Sequence, residues 1–248
     1  MSPDPAHVAS FESVSVTFPD GTRALEEVDL HVGAGEFVSI IGPSGCGKST
    51  LLRVAAGLQA HDSGTCSVDR KDIGFVFQDP NLLPWRTVTG NVSLPAELHG
   101  IDARERDSSV AAAVDLVGLS DFADHYPSQL SGGMRMRTSL ARSLVLSPGL
   151  FLFDEPFGAL DEMTRERLND EIRDLYVRRQ FTALFVTHSV AEAVYMSSRV
   201  VVMSARPGRI TADIPVDLPL ERPHDVRYTP QFADTCGRLS RALREAAA

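Results

Sequence analysis

The sequence contains no run of about 18 consecutive apolar residues, the length a helix needs to cross a bilayer. The chain itself is therefore not expected to be embedded in a membrane. Positive charge is also scarce: 24 Lys and Arg stand against 33 Asp and Glu, a formal net charge of −9. Broad nucleic-acid binding rests on neutralising phosphates with basic side chains, so a nucleic-acid partner is not expected. The three cysteines, Cys46, Cys66 and Cys236, are an odd number at wide spacing, which fits neither a disulfide framework nor a zinc site. Met1 to Ser10 is polar, carries Pro3, Pro5 and His7, and lacks the basic start and apolar centre of a signal peptide. The expected compartment is the cytosol. No internal repeat is present, and low complexity is confined to the small-residue C-terminal end.

What remains is ordinary for a soluble globular protein: 248 residues, 43% hydrophobic and 23% charged, long enough to bury a sizeable core. From Val8 to Phe18 apolar Val14, Val16 and Phe18 alternate with Ser13, Ser15 and Thr17, the period of a half-buried strand. Asp20-Gly21 reads as a turn, and Val28 to Val32 as a further strand. Glu36 to Ile41 is short, apolar and β-branched, as a buried central strand should be. A helix follows, with Leu51, Val54, Ala55 and Leu58 at the spacing of an apolar stripe. Strands are also expected over 73–77, 150–153, 183–186 and 200–203, and helices over 108–117, 132–146, 164–179 and 190–196, with a last one from about Gln231. Strands alternating with helices predict an α/β fold with a mostly parallel sheet. The block of helical pattern from Pro80 to Ser147 reads as an inserted subdomain.

Gly42, Pro43, Ser44, Gly45, Cys46, Gly47, Lys48, Ser49 and Thr50 match the phosphate-loop pattern, between an apolar strand and a helix. The glycines let successive backbone N–H groups curl around a phosphate, and the helix N-terminus adds its positive dipole end. Lys48 is a point charge for β- and γ-phosphates, and the Ser49 hydroxyl is placed to coordinate Mg²⁺. Cys46 reads either as a small filler or as a modifiable thiol beside a helix N-terminus. A phosphate loop alone fits kinases, GTPases and many ATPases.

The apolar run Leu150 to Phe153 ends in Asp154, Glu155 and Pro156. An Asp at a strand tip beside a phosphate loop holds Mg²⁺, usually through water. The adjacent Glu155 points differently and suits a general base for water attacking a γ-phosphate.

Between these elements stands Leu130-Ser131-Gly132-Gly133-Met134-Arg135. Ser131 and two glycines expose N–H groups at a helix start, a second anion site with no lysine. This stretch resembles the signature of ATP-binding cassettes, the motor domains of ABC transporters, and the resemblance covers about Val8 to Leu220. It implies a cassette with a mixed RecA-like sheet, an antiparallel N-terminal β subdomain and an inserted helical subdomain. The implied division is an ATPase core over 8–79 and 148–215, the helical insert over 80–147 and a C-terminal extension over 216–248, all in one nucleotide-binding domain.

The resemblance also assigns roles. Gln78 matches the glutamine that senses Mg²⁺ and the attacking water, and His188 the switch histidine at the γ-phosphate. Gly158 to Asp161 match the loop that crosses to a partner cassette. Phe18 matches the aromatic that stacks on adenine, although the end of an alternating strand is also a place for plain core. ATP and Mg²⁺ are the implied cofactors. Two cassettes would sandwich two ATPs, with Ser131, Gly132 and Gly133 of one facing the γ-phosphate held by the other. Many members carry Gln where this chain has Met136, so a hydrogen bond from that position to the neighbouring nucleotide or the signature loop is expected to be lost.

The stretches Leu83 to Val92 and Ser204 to Ile210 resemble the importer branch serving nitrate, sulfonate, taurine and related small molecules. That implies two transmembrane permease subunits, an extracytoplasmic substrate-binding protein, and a place on the cytoplasmic face of the inner membrane. Trp85 suits either docking to the permease or the core of the helical block. The segment from Gly64 to Gln78 is several residues shorter than is usual in that branch. A soluble ABC ATPase acting on nucleic acid or ribosomes is the alternative, disfavoured by the single signature and the acidic charge. A small-metabolite kinase is disfavoured by the signature and the Asp154-Glu155 pair.

Overall fold

The computed structural model describes residues 7–69, 73–158 and 160–247. Two strands, β1 (His7–Thr17) and β2 (Arg23–Gly33), form an antiparallel pair. Their turn closes where Gly21 N–H donates to the Phe18 carbonyl at 2.9 Å and Phe18 N–H donates to Thr22 at 2.9 Å. The chain then enters a second sheet as β3 (Phe37–Ile41) and returns as β4 (Ser63–Val68) to pair antiparallel with the other edge of β1. The expectation of an antiparallel N-terminal sheet therefore holds.

The second sheet also contains β5 (Ile73–Val76), β6 (Leu150–Asp154), β7 (Thr182–Val186), β8 (Arg199–Met203) and β9 (Ile210–Pro215). Its order is β5-β6-β7-β3-β8-β9. All neighbours are parallel except β9, which runs antiparallel to β8. Every residue of β3, β6 and β7 is buried, and this is why their sequences are near-continuous apolar runs rather than alternations.

Phe37, Phe151, Phe153, Phe181, Phe185 and Tyr176 interlock on one side of these strands, with ring centroids between 4.6 and 6.3 Å apart. Each buried phenylalanine contributes roughly 1.5–3 kcal/mol of hydrophobic stabilisation. The cluster fixes the strand tips that carry the candidate site.

The helices are α1 (Lys48–Ala55), α2 (Val88–Leu98), α3 (Ala103–Leu116), α4 (Gly132–Leu144), α5 (Glu162–Arg179), α6 (Val190–Met196) and α7 (Pro230–Ala246). Helices α2, α3 and α4 pack on one another around Val88, Val92, Val110, Val114 and Leu140. The described residues contain no helix long and apolar enough to cross a membrane. Beyond β9 the chain folds back onto α5 and α6. Arg222 donates to the carbonyls of Val194 and Tyr195 at 2.8 and 2.7 Å. Arg227 lies 3.4 Å over the Tyr195 ring and bonds Asp170 at 2.7 Å.

Several expectations change. The stripe on α1 ends at Ala55, and Leu58 lies beyond the helix, 62% exposed. Met136 is buried in the core that α4 shares with α2 and α3, so it faces apolar neighbours, and a glutamine there would need a buried partner. Trp85 is 71% exposed and is not core. The shortening between Gly64 and Gln78 falls partly on residues 70–72, outside the described residues, as do residues 1–6.

Candidate functional site

The site lies along the C-terminal edge of the parallel sheet, where three strand ends deliver polar residues after apolar runs. Strand β3 runs into the Gly42–Gly47 loop, and α1 begins at Lys48. Gly47 has φ +101°, and a Cβ there would lie 2.7 Å from the Ala24 carbonyl, so only glycine lets the loop turn this close to β2. Lys48 is buried. Its Nζ donates to the carbonyls of Gly42 at 2.9 Å and Pro43 at 3.0 Å, holding an ammonium inside the curl of the loop. Ser44 and Gly45 are exposed at the loop tip, and Thr50 is buried on α1.

Strand β6 is separated from β3 by β7, yet its last residue reaches the loop's helix. Ser49 Oγ donates to Asp154 Oδ1 at 2.7 Å. Burial pushes the Asp154 carboxyl above the usual carboxylate range, and the Ser49 hydrogen bond and nearby Arg53 offset part of this. A hydroxyl and a carboxylate side by side are two hard oxygens facing the phosphate loop.

Glu155 follows in the left-handed region, φ 46°, a conformation that costs an ordinary residue on the order of 1 kcal/mol or more. Its N–H is held by the Val186 carbonyl at 3.0 Å. Glu155 Oε2 lies 3.7 Å from His188 Nδ1, with the histidine 59% exposed and the glutamate 24%. The structure thus joins Ser49 to Asp154 by a hydrogen bond, with Lys48 next in the chain, and brings Glu155 near His188. Gln78 is exposed just past β5, whose Val76 pairs with Phe153, so it lies alongside the Asp154-Glu155 tip.

The other expected residues stand elsewhere. Ser131 is the N-cap of α4, accepting from Met134 N–H at 3.2 Å, with Gly132 and Gly133 as the first helical residues. No hydrogen bond or ion pair among the described residues joins this turn to the phosphate loop; Gly133 packs near Leu160 and Thr164 instead. Asp161 caps α5, and the Thr164 amide holds its carboxyl below the usual range. Ala159 lies outside the described residues. Phe18 is half-buried, one side on the N-terminal core and the rest open, so it is not plain core.

Sequence reasoning missed Glu192. This buried carboxylate accepts from the Thr187 hydroxyl and from Asn169 Nδ2 at 3.2 Å, and the Thr187 hydroxyl in turn accepts from Ser189 N–H at 3.0 Å. The network fixes the residues on either side of His188. The only signal was one acid within the apolar run Val190 to Met196.

Cys46 is 1% exposed, with Sγ 3.8 Å from Lys48 Nζ. The filler reading fits this packing and the accessible-thiol reading does not. Maleimide is therefore expected to spare Cys46 in the folded chain and to label it once the chain is denatured in urea. Mass spectrometry of the peptide decides, and rapid labelling of folded protein would contradict the packing described here.

The chain is also similar to known proteins. A family model described as "ABC transporter" matches residues 25–158. The nitrate import ATP-binding protein NrtD of Synechocystis sp. is 42% identical over 234 residues, covering 89% of this chain and 88% of that protein. The aliphatic sulfonates import ATP-binding protein SsuB 1 of Pseudomonas syringae is 46% identical over 207 residues, 84% of each. A solved dimeric post-hydrolysis state of the ATP-binding cassette MJ0796, bound to ADP and Pi, is similar with a TM-score of 0.78 at 32% identity. It covers 85% of this chain and 100% of that one.

Proposed function

The chain belongs to the ABC transporter family as an ATP-hydrolysing subunit, and from that premise we propose that it drives import of a small molecule of the nitrate, sulfonate or taurine kind through separate membrane subunits. The observation that carries the motor reading is the pairing at the sheet edge. Ser49 meets Asp154 at 2.7 Å beside the buried Lys48 ammonium, while Glu155 faces His188 at 3.7 Å. One cluster holds phosphates and the other handles water.

The phosphate-loop N–H groups and Lys48 bind the β- and γ-phosphates of ATP, and Phe18 stacks on adenine through its open face. Ser49 and Asp154 fit Mg²⁺, which takes one or two protein oxygens beside substrate phosphates and its own waters. Held by Ser49 and Asp154, Mg²⁺ would supply positive charge against the negative charge that develops on the phosphates. Glu155 accepts the proton of the attacking water, and His188 donates to the γ-phosphate. Gln78 reads the water and the cation from the neighbouring strand. Ser131, Gly132 and Gly133 serve the ATP of a second cassette, with Asp161 crossing between the two. The dimeric state of the similar cassette supports this arrangement.

We place the ATPase core at 8–79 and 148–215, the helical insert at 80–147, and an extension beyond 215. The subunit sits on the cytoplasmic face of the membrane by way of two permease subunits, served by an extracytoplasmic binding protein. The assembly reconstituted in vesicles should take up labelled nitrate or sulfonate only with ATP inside its cytoplasmic compartment. Uptake without ATP would remove the importer reading, and ATP hydrolysis with no uptake of either compound would remove the substrate assignment.

Trp85 is the candidate contact with the permease. Asn91 is buried and bonds Leu83 N–H at 2.7 Å and the carbonyls of Leu83, Arg86 and Thr87 at 3.0–3.1 Å. This one side chain staples the turn that presents the exposed indole. Arg142 of α4 holds the carbonyls of Pro80 and Asn81 at 2.8 and 2.9 Å, tying the segment after Gln78 to the Ser131-capped helix. Trp85→Ala is expected to leave ATP affinity and melting temperature unchanged. It should weaken permease association by about 2 kcal/mol, the threshold of an interface hot spot. Calorimetry beside a pull-down measures both; a lower melting temperature with permease binding intact would refute the docking role.

A further inference from the structure

The turn Ser204 to Ile210 takes no part in the ATPase mechanism described above. It packs against the outer side of the phosphate loop. Arg206 donates from Nε and Nη2 to the carbonyl of Gly45, at 3.1 and 3.0 Å. Gly45 has φ +73° at the exposed tip of the loop. Gly208 comes so close that a Cβ on it would lie 2.0 Å from the Cys46 carbonyl.

The turn is itself rigid. Ser204 Oγ donates to the Pro207 carbonyl at 3.0 Å and accepts from Arg209 N–H at 3.0 Å. Gly208 N–H donates to Ala24 at 3.0 Å, and Glu26 N–H donates to Gly208 at 3.0 Å. Arg209 pairs with Glu26 and Glu27 at 2.8 and 3.1 Å. Ala205 N–H donates to Ala246 at the end of α7 at 3.0 Å. The guanidinium of Arg206, although exposed, is thus delivered from a fixed frame attached to β2, β8 and α7.

A loop that binds phosphate points N–H groups inward; here the carbonyls of Gly42 and Pro43 meet Lys48, while that of Gly45 at the tip turns outward to Arg206. An outward carbonyl with no fixed partner leaves the loop free to rotate its peptides, and binding then has to order them. We propose that Arg206 is a positioning residue for ATP. By holding the Gly45 carbonyl outward with two charge-assisted hydrogen bonds, it sets the phosphate loop in its binding form. The proposal rests on reading residues 42–50 as the ATP phosphate loop. It concerns the triphosphate and not the base.

The test is the affinity of the purified full chain for Mg-ATP and Mg-GTP by fluorescence titration, with steady-state KM and kcat, for Arg206→Ala, Arg206→Lys and Lys48→Ala. Arg206→Ala is expected to raise Kd and KM about tenfold, the size of one charge-assisted hydrogen bond. The factor should be the same for both nucleotides, with kcat at saturation and melting temperature unchanged. Arg206→Lys should fall between, because an ammonium cannot reproduce the two-pronged donation. Unchanged Kd in Arg206→Ala, while Lys48→Ala loses binding, would overturn the inference and leave the ATP site standing. A loss for ATP but not GTP would overturn it by showing direct contact with the base, and a loss confined to kcat would overturn it as well. Unchanged binding in Lys48→Ala would instead remove the underlying phosphate-loop reading.

Discussion

Glu155→Gln is expected to cut ATP hydrolysis on the order of 10²-fold or more while ATP binding persists. Glutamine keeps the length and shape of the side chain and removes its ability to take a proton. The Glu155 backbone is held by Val186 in a left-handed conformation that the substitution does not alter. The neighbouring Asp154 keeps its bond to Ser49, so the phosphate end of the site stays intact. What is lost is the carboxylate facing His188. Because two cassettes enclose each ATP in the proposed arrangement, slow hydrolysis should trap the closed pair. At high protein concentration and saturating ATP, the variant should elute at twice the mass of the chain by size exclusion with light scattering. Only monomer under those conditions would count against the sandwich, and near-normal hydrolysis would remove Glu155 as the base.

Lys48→Ala should lose tight Mg-ATP binding, by about 10²-fold or more, since a hydrogen bond to a charged group is worth roughly 1.5–3 kcal/mol and the ammonium makes more than one to phosphate. The substitution acts twice. It removes a buried positive charge, and it strips the Gly42 and Pro43 carbonyls of the donor that gathers the loop. A modest fall in melting temperature is expected from those unpaired carbonyls. Nucleotide titration reads the first effect and calorimetry the second. Unchanged affinity is incompatible with the assigned loop.

Strands β3, β6 and β7 were legible because strands buried on both faces read as unbroken apolar runs. Helix α5 was legible from Leu168, Ile172 and Leu175, all buried as the spacing required. Strand β4 was not, because its Ser-Gly-Thr-Cys-Ser-Val sequence has no pattern of its own and is a strand only through pairing with β1. Strand β9 is half exposed and ends at Pro215, so its short alternation fell below notice beside the proline-rich tail. Helix α2 contains Gly90 and Pro95, two residues that argue against a helix, and stands because Thr87 caps it and α3 and α4 cover it.

The candidate site shows the same division. Motifs named Lys48, Ser49, Asp154, Glu155 and His188 because their chemistry is tied to fixed sequence contexts. They did not say how the residues are held. The Asn169 bond to Glu192 and the Arg206 hold on Gly45 join residues far apart in the chain, while the Thr187-Glu192 bond and the Asn91 staple under Trp85 are short-range but belong to no motif. Met136 was legible as a departure from the usual Gln, and its burial shows what the sequence did not, that the side chain packs in the apolar core.

The most direct test of the central claim is the fate of ATP with the purified chain, Mg²⁺ and no phosphoryl acceptor. The account predicts release of ADP and inorganic phosphate in equal amounts, lost in Glu155→Gln although that variant still binds ATP. Phosphate release that is unaffected by the Glu155 substitution, or that requires an added small-molecule acceptor, would contradict it.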